Sequence, residues 1–158
     1  MIKVLEEKPK PPKFSRRAKM GEVVEKIELE NYVDRYLADE GKIKSSQVRK
    51  VTINALVDTG ATMLILPQDV VERLGLKTSR KVIVTYAGGR RDECDVAGGL
   101  IVKIGDRHAY MECIVGQPTS EALIGQVVLK VLDLLVDPRE QKLTPRPESP
   151  FLPSLSMR

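Results

Sequence analysis

A short alternating segment that ends in an acidic turn constrains the fold of this chain more than any other feature. In residues 51–57, Val-Thr-Ile-Asn-Ala-Leu-Val, an apolar side chain recurs at every second position. That period predicts a half-buried β-strand. The strand runs into Asp58, Thr59 and Gly60, and the glycine favours a tight turn because it adopts backbone angles closed to other residues. We therefore expect one carboxylate at the tip of a buried strand, and Asp58 is the candidate for chemistry.

Similar apolar patterns elsewhere predict a mainly β chain with one or two short helices. Strands are expected at residues 22–31, 48–57, 81–85, 92–96, 100–104, 109–115 and 142–145. A helix at residues 32–37 is left open, because the apolar spacing there is mixed. Residues 67–75 predict a helix whose buried face is Val70, Val71 and Leu74, since proline suits the first helical position and Gly75 suits a C-terminal stop. A second helix is expected at residues 126–133.

The length and composition are those of one modest domain. A chain of 158 residues can bury one core but is too short for two well-packed ones. Aromatic residues make up only 4% and tryptophan is absent, so aliphatic side chains must fill that core. We expect residues 1–19 to be a disordered, basic, proline-rich tail. Residues 20–147 would form the folded domain, and residues 148–158 a loose C-terminal tail.

Residue usage argues against several classes of function. One histidine, His108, and two cysteines, Cys94 and Cys113, offer too few ligands for a metal site, and we expect neither a metal nor a cofactor. The thiols are expected to be free and to pack as small apolar groups. The net charge of +4 lies largely in the first 19 residues, so the composition gives little support for a nucleic-acid partner. No apolar run suggests a membrane partner or secretion, and a cytoplasmic location is expected.

Three motifs in a fixed order carry a resemblance to a known family. The segment Asp58-Thr59-Gly60-Ala61 resembles the active-site turn of the retropepsin-like aspartic proteases, which include the retroviral proteases and their stand-alone cellular and bacterial relatives. Residues 85–90, Thr-Tyr-Ala-Gly-Gly-Arg, lie where that family carries its flap hairpin. Residues 115–125 are similar to the second signature of the family, in which two apolar residues and a glycine open a short helix. The resemblance covers residues 22–147 and implies a closed β-barrel of the acid-protease type.

The resemblance assigns roles by position. Asp58 would be the catalytic residue. Its turn would be supported by Thr59, Gly60 and Ala61, with Thr59 hydrogen-bonding across a dimer axis. The flap that closes over a bound peptide would be Tyr86, Ala87, Gly88 and Gly89. The floor of the substrate pocket would be Leu123, Ile124 and Gly125.

The chemistry of this family needs two facing carboxylates, and the chain supplies one. Asp58 is the only aspartate followed by Thr-Gly or Ser-Gly. The resemblance therefore implies a homodimer with Asp58 of each subunit at a twofold axis. One carboxylate would take a proton from water while the other polarises the scissile carbonyl, and the pair would share one proton. The implied activity is that of an aspartic endopeptidase, and the implied partner is a peptide or protein bound in an extended conformation.

Two other interpretations stay open at this point. The fold can serve as a dimerisation or peptide-binding module with little catalysis, because a fold does not fix a function. The basic arm at residues 1–19 can also belong to a nucleic-acid-associated protein. One departure concerns the turn itself. Gln126 follows the signature glycine where retroviral members often carry arginine, so an ion pair that stabilises the turn is not expected.

Overall fold

The computed structural model describes residues 22–157, and most of its regular structure is β-strand. The strands are β1 Val24–Asn31, β2 Lys50–Val57, β3 Leu64–Pro67, β4 Lys77–Thr85, β5 Arg91–Ile104, β6 Arg107–Gly116, β7 Leu123–Ile124, β8 Leu134–Asp137 and β9 Lys142–Pro145. The helices are α1 Tyr32–Asp39, α2 Gln68–Leu74 and α3 Gln126–Leu132, with a 3₁₀ turn at Ser45–Gln47. The predicted mainly β class is confirmed. None of the helices in residues 22–157 is long and apolar enough to cross a lipid bilayer.

Seven strands form one sheet that closes on itself. Their order is β1-β2-β7-β3-β6-β5-β4, and β1 also pairs with β5, so that six strands complete a barrel and β4 lies outside it. The long strand β5 makes this possible. Its first part pairs with β4 and its last part with β1, and its register against β6 shifts between Ala97 and Leu100. Gly99 lies in this bulge with a φ of +80°, a conformation that glycine adopts without strain.

The barrel is filled by aliphatic side chains, as the composition predicts. Alternate residues of β1 and β2 point inward, including Ile27, Leu29 and Ile53, each at most 2% exposed. Full burial of such a side chain contributes roughly 1.5–3 kcal/mol. The helix α2 packs its predicted face of Val70, Val71 and Leu74 against this core. It ends at Gly75 in the left-handed conformation, as expected.

The described residues form three α-helices, where one or two were expected. The additional helix is α1, where the sequence left a helix open. Asn31 begins it, because its side-chain oxygen accepts a hydrogen bond from the backbone N–H of Asp34 at 2.9 Å. The same side chain donates to the carbonyl of Leu74 at 2.8 Å, which joins the start of α1 to the end of α2. This cap depends on a contact between distant residues, which the local pattern does not reveal.

Two residues of the segment after residue 147, Ser149 and Ser154, contact the rest of the domain. Ser149 is buried and hydrogen-bonds to the carboxylate of Asp133, and the backbone N–H of Ser154 donates to the same carboxylate at 2.8 Å. Arg107, also buried, donates to the carbonyl of Ser149. These contacts attach the C-terminal segment to the end of α3. The domain boundaries remain a prediction, and the expected tail at residues 1–19 lies outside the described residues.

Candidate active site

The position of Asp58 follows from the pairing of β2 with β7. These two strands run parallel, and the backbone N–H of Asp58 donates to the carbonyl of Ile124 at 2.9 Å. Pairing therefore continues one residue past the end of β2 and fixes the backbone of Asp58. The chain then leaves the sheet in a tight turn, closed by a hydrogen bond from Ala61 N–H to the Asp58 carbonyl at 3.0 Å. The predicted strand and turn are both present.

The carboxylate of Asp58 is oriented by its own turn. Gly60 N–H donates to Asp58 Oδ1 at 2.9 Å, and Oδ2 receives no hydrogen bond from residues 22–157. The side chain is half-buried and faces an open cleft. One oxygen is thus held by the backbone while the other is available to water or substrate.

The start of α3 supports this turn from behind. A Cβ atom at Gly125 would lie 2.6 Å from the Met63 carbonyl oxygen and 2.7 Å from that of Ala61, so only glycine fits. The backbone N–H of Gln126 donates to the Ala61 carbonyl at 2.8 Å, and that of Val127 donates to the Thr62 carbonyl at 2.8 Å. The close approach of α3 to the active-site turn therefore explains why the second signature contains a glycine at position 125.

The side chain of Gln126 adds a contact that the sequence did not predict. Its Nε2 donates to the Thr59 carbonyl at 2.9 Å. No ion pair is needed for this contact, because a neutral amide supplies the donor. A signal was present in the sequence, since a long side chain with an N–H donor follows the signature glycine, but its acceptor could not be identified without the fold.

Asp58 lies in a cleft of about 640 Å³ between its turn and the hairpin of β4 and β5. Asp58 is the only carboxylate among the lining residues that the structure describes. The others are largely aliphatic or small: Gly60, Ala61, Thr62, Met63, Ile65, Val82, Ile83, Val84, Thr85, Tyr86, Ala87, Ile114 and Leu123. A cleft lined in this way favours a bound molecule with apolar groups next to the single acid.

The hairpin above the cleft ends in a short glycine-containing turn. Tyr86 N–H donates to the Arg90 carbonyl at 2.8 Å, and Gly89 N–H donates to the Tyr86 carbonyl at 2.8 Å. Gly89 has a φ of +90°, which explains a glycine at this position. The Arg90 guanidinium lies 4.2 Å from the centre of the Tyr86 ring. Partial burial raises the pKa of the Tyr86 hydroxyl.

The structure brings together most, though not all, of the predicted site residues. Those that line the cleft are Asp58, Gly60, Ala61, Tyr86, Ala87 and Leu123. Gly88 and Gly89 belong to the exposed hairpin tip and do not line the cleft. Ile124 is fully buried in the core and Gly125 lies behind the turn, so neither forms its floor.

Thr59 points away from the cleft toward a second depression. It is exposed, and it lines a shallow depression of about 850 Å³ together with Gln126, Val131, Leu135 and Leu155. Sequence reasoning missed the contribution of β4 to the cleft itself, namely Val82, Ile83 and Val84.

The remaining candidate groups lie elsewhere. His108 is exposed and lines a separate depression of about 270 Å³ beside Arg35 and Tyr110. Cys94 and Cys113 are free, and burial raises the pKa of the Cys113 thiol to about 12. Such a thiol stays protonated, which fits a packing role and not a nucleophile.

Comparison with known proteins gives a family match and a similar solved structure. Residues 45–131 match the model of a family described as "gag-polyprotein putative aspartyl protease". Among solved structures, the chain is similar to "EIAV protease complexed with the inhibitor HBY-793", with 25% identity, a TM-score of 0.43, and coverage of 51% of this chain and 77% of that chain. The comparison with curated proteins gives no match. Because the family match spans more than half of the 158 residues and contains the turn, the cleft and the hairpin, this chain belongs to the retropepsin-like aspartic protease family.

Proposed function

We propose that this chain is an aspartic endopeptidase that works as a homodimer, with one Asp58 from each subunit in a shared site. The observation that carries the proposal is the lone, backbone-oriented carboxylate of Asp58 in a cleft whose described lining holds no second acid. Membership of the aspartic protease family supports the same reaction class. A site with half of the required groups is complete only when a second copy supplies the other half.

The proposed reaction is a direct attack of water on a peptide bond. The ionised member of the Asp58 pair takes a proton from the water, while the protonated member donates a hydrogen bond to the scissile carbonyl oxygen. The water oxygen bonds to the carbonyl carbon and gives a tetrahedral intermediate. A proton then passes to the leaving nitrogen as the C–N bond breaks. The two carboxylates share one proton, because like charges so close together cannot both ionise cheaply.

The surface beside the turn is suited to a second copy of the chain. Thr59 is exposed there, where it could hydrogen-bond across a twofold axis. Apolar side chains continue from it, and Val127, Val131, Leu135 and Leu155 are 37–58% exposed. The association of such a surface with its own copy would bury these groups. Activity would then depend on protomer concentration.

The hairpin is the proposed flap. Its tip at Ala87, Gly88 and Gly89 is exposed, and a Cβ at Gly88 would meet nothing within 4 Å. This open space allows the tip to approach a bound peptide closely. The substrate would lie extended between the tip and the Asp58 turn, with main-chain pairing along its length. Aliphatic lining from Val82 and Ile114 favours apolar residues next to the scissile bond.

The proposal is tested by cleavage of a denatured protein mixture, with the cut sites identified by mass spectrometry between about pH 4 and pH 8. Wild type is compared with Asp58→Asn, which removes the ionisable group and keeps the shape. The matched control is Asp106→Asn, which makes the same change in an exposed turn between β5 and β6. We expect activity in wild type and the control and none in Asp58→Asn. If wild type cuts nothing across this range, the chain is better described as a peptide-binding or dimerisation module.

A further inference from the structure

One peptide unit in the active-site turn is held at both ends. The carbonyl oxygen of Thr59 accepts a hydrogen bond from Gln126 Nε2 at 2.9 Å. The N–H of the same peptide unit belongs to Gly60, and it donates to Asp58 Oδ1 at 2.9 Å. A chain of two hydrogen bonds therefore runs from the side chain of Gln126, through the peptide between Thr59 and Gly60, to the carboxylate.

The geometry of the peptide bond makes these two contacts interdependent. A trans peptide unit is planar, and its C=O and N–H groups point in opposite directions. Rotation of this unit about its flanking bonds therefore moves both groups together. When the Thr59 oxygen is anchored, the Gly60 N–H is aimed at Asp58. Without the anchor, this peptide unit keeps only its hydrogen bond from Gly60 N–H, within a turn closed by Ala61 N–H. It can then rotate more easily, because Gly60 is exposed and a glycine tolerates many backbone angles.

The neighbouring contacts cannot replace this anchor. The two backbone hydrogen bonds from the start of α3 end on the carbonyls of Ala61 and Thr62. They hold the second half of the turn and leave the Thr59 carbonyl to the side chain of Gln126. Gln126 also lies outside the cleft lining, so it does not contact a substrate seated beside Asp58.

We infer that Gln126 is a positioning residue, which orients the Asp58 carboxylate through the peptide between Thr59 and Gly60. The inference rests on the proposed function for its effect on rate. The physical coupling itself is independent of activity. Because the donor is a neutral amide, the coupling does not require an ion pair, and salt leaves it largely unchanged.

The first test removes the donor and keeps the size of the side chain. Gln126→Met is compared with Gln68→Met, a matched control in which an exposed glutamine of α2 loses its hydrogen bond to Glu72. We expect Gln126→Met to lower kcat by about fivefold to tenfold, the rate equivalent of one hydrogen bond, with KM changed less than about twofold. The control should leave both constants unchanged. All proteins are assayed at a concentration where sedimentation shows the same oligomeric state.

A second variant gives the coupling a pH signature. In Gln126→Glu, the usual pKa of the new carboxyl group is about 4.3. At a pH well above this value the group is ionised and can only accept hydrogen bonds. It then offers no donor to the Thr59 oxygen. When it is protonated it offers one O–H. We therefore expect the ratio of kcat in Gln126→Glu to kcat in Gln126→Met to rise as the pH falls toward 4. A ratio independent of pH would contradict the inference.

A third measurement separates this inference from the proposed function. The Gly60 amide is observed by NMR in wild type, Gln126→Met and Gln68→Met. Loss of the anchor should move the Gly60 amide proton upfield and speed its exchange with solvent only in Gln126→Met. If this occurs while no variant cleaves peptides, the proposed function fails and the positioning role stands. An unchanged Gly60 amide in a folded Gln126→Met variant overturns the positioning role.

Discussion

Substitution of Gly125 by alanine tests the close approach of α3 to the active-site turn. The backbone angles at Gly125 are φ −100° and ψ −172°, which any residue can adopt. The cost of a Cβ is therefore steric. The new atom would lie 2.6 Å from the Met63 carbonyl oxygen, 2.7 Å from the Ala61 carbonyl oxygen and 2.9 Å from the Met63 nitrogen. All three are backbone atoms, so no side chain can rotate away to make room.

The size of the effect follows from what must move. Overpacking of a tight site costs about 1–3 kcal/mol. Separation of α3 from the turn would also stretch the hydrogen bonds from Gln126 N–H to Ala61 and from Val127 N–H to Thr62, each worth about 1 kcal/mol. We expect the free energy of unfolding to fall by about 3–5 kcal/mol. That is a large share of the roughly 5–15 kcal/mol that stabilises a typical domain.

The assay is urea unfolding of Gly125→Ala beside Gly98→Ala. Gly98 lies in β5, where a Cβ would have its nearest neighbour at 4.0 Å, so the control should change stability by less than about 0.5 kcal/mol. Equal midpoints for the two variants, with equal slopes, would refute the steric argument. That result would mean that α3 can shift without a cost in stability and that glycine is required at position 125 for another reason.

Three further predictions concern buried charges outside the cleft. Hydrogen bonds from Arg49 lower the pKa of Asp34. The stability that these bonds contribute to the folded protein is complete above the usual Asp pKa of about 3.9. It is lost as the pH falls through the lower pKa of the folded protein. The stability advantage of wild type over Asp34→Asn should accordingly be full at neutral pH and vanish in strong acid, as followed by urea unfolding. In Asp133→Asn, hydrogen exchange of residues 149–154 should accelerate while β2 stays protected, since Asp133 holds Ser154. Arg107→Met leaves three carbonyls without their donor and should lower the free energy of unfolding by at least about 2 kcal/mol.

The active-site turn could be predicted because its signals are local. Period-two alternation before Asp58 and glycine after it specify a strand and a turn within ten residues. The bounds of α2 were predicted to within one residue for the same reason, although Pro67 is its extended N-cap residue and not the first helical residue, as was expected. The family resemblance then supplied the order of turn, hairpin and second signature along the chain. In the fold the turn and the hairpin line one cleft, and the glycine of the second signature lies behind the turn.

The remaining features depend on contacts between distant residues. The cap of α1 needs Leu74, which lies 43 residues from Asn31 in sequence. The strand β8 was missed because its apolar residues continue the pattern of α3. The chain breaks between them only where Asp133 adopts a left-handed conformation, with a φ of +57°. Its contacts with Arg107 and Ser149 accompany that conformation. The contribution of Val82, Ile83 and Val84 to the cleft depends on where the β4–β5 hairpin lies relative to the Asp58 turn, which no local pattern records.

The central claim is that two Asp58 carboxylates from two copies form one catalytic site. The most direct test mixes wild type with Asp58→Asn, allows the subunits to exchange, and measures cleavage at constant total protein. If both carboxylates of a dimer are required, an equal mixture retains about one quarter of the activity of wild type alone, because only dimers of two wild-type copies work. A mixture with Asp106→Asn should retain full activity. Retention of about one half with Asp58→Asn would mean that each copy acts alone, which contradicts the shared site.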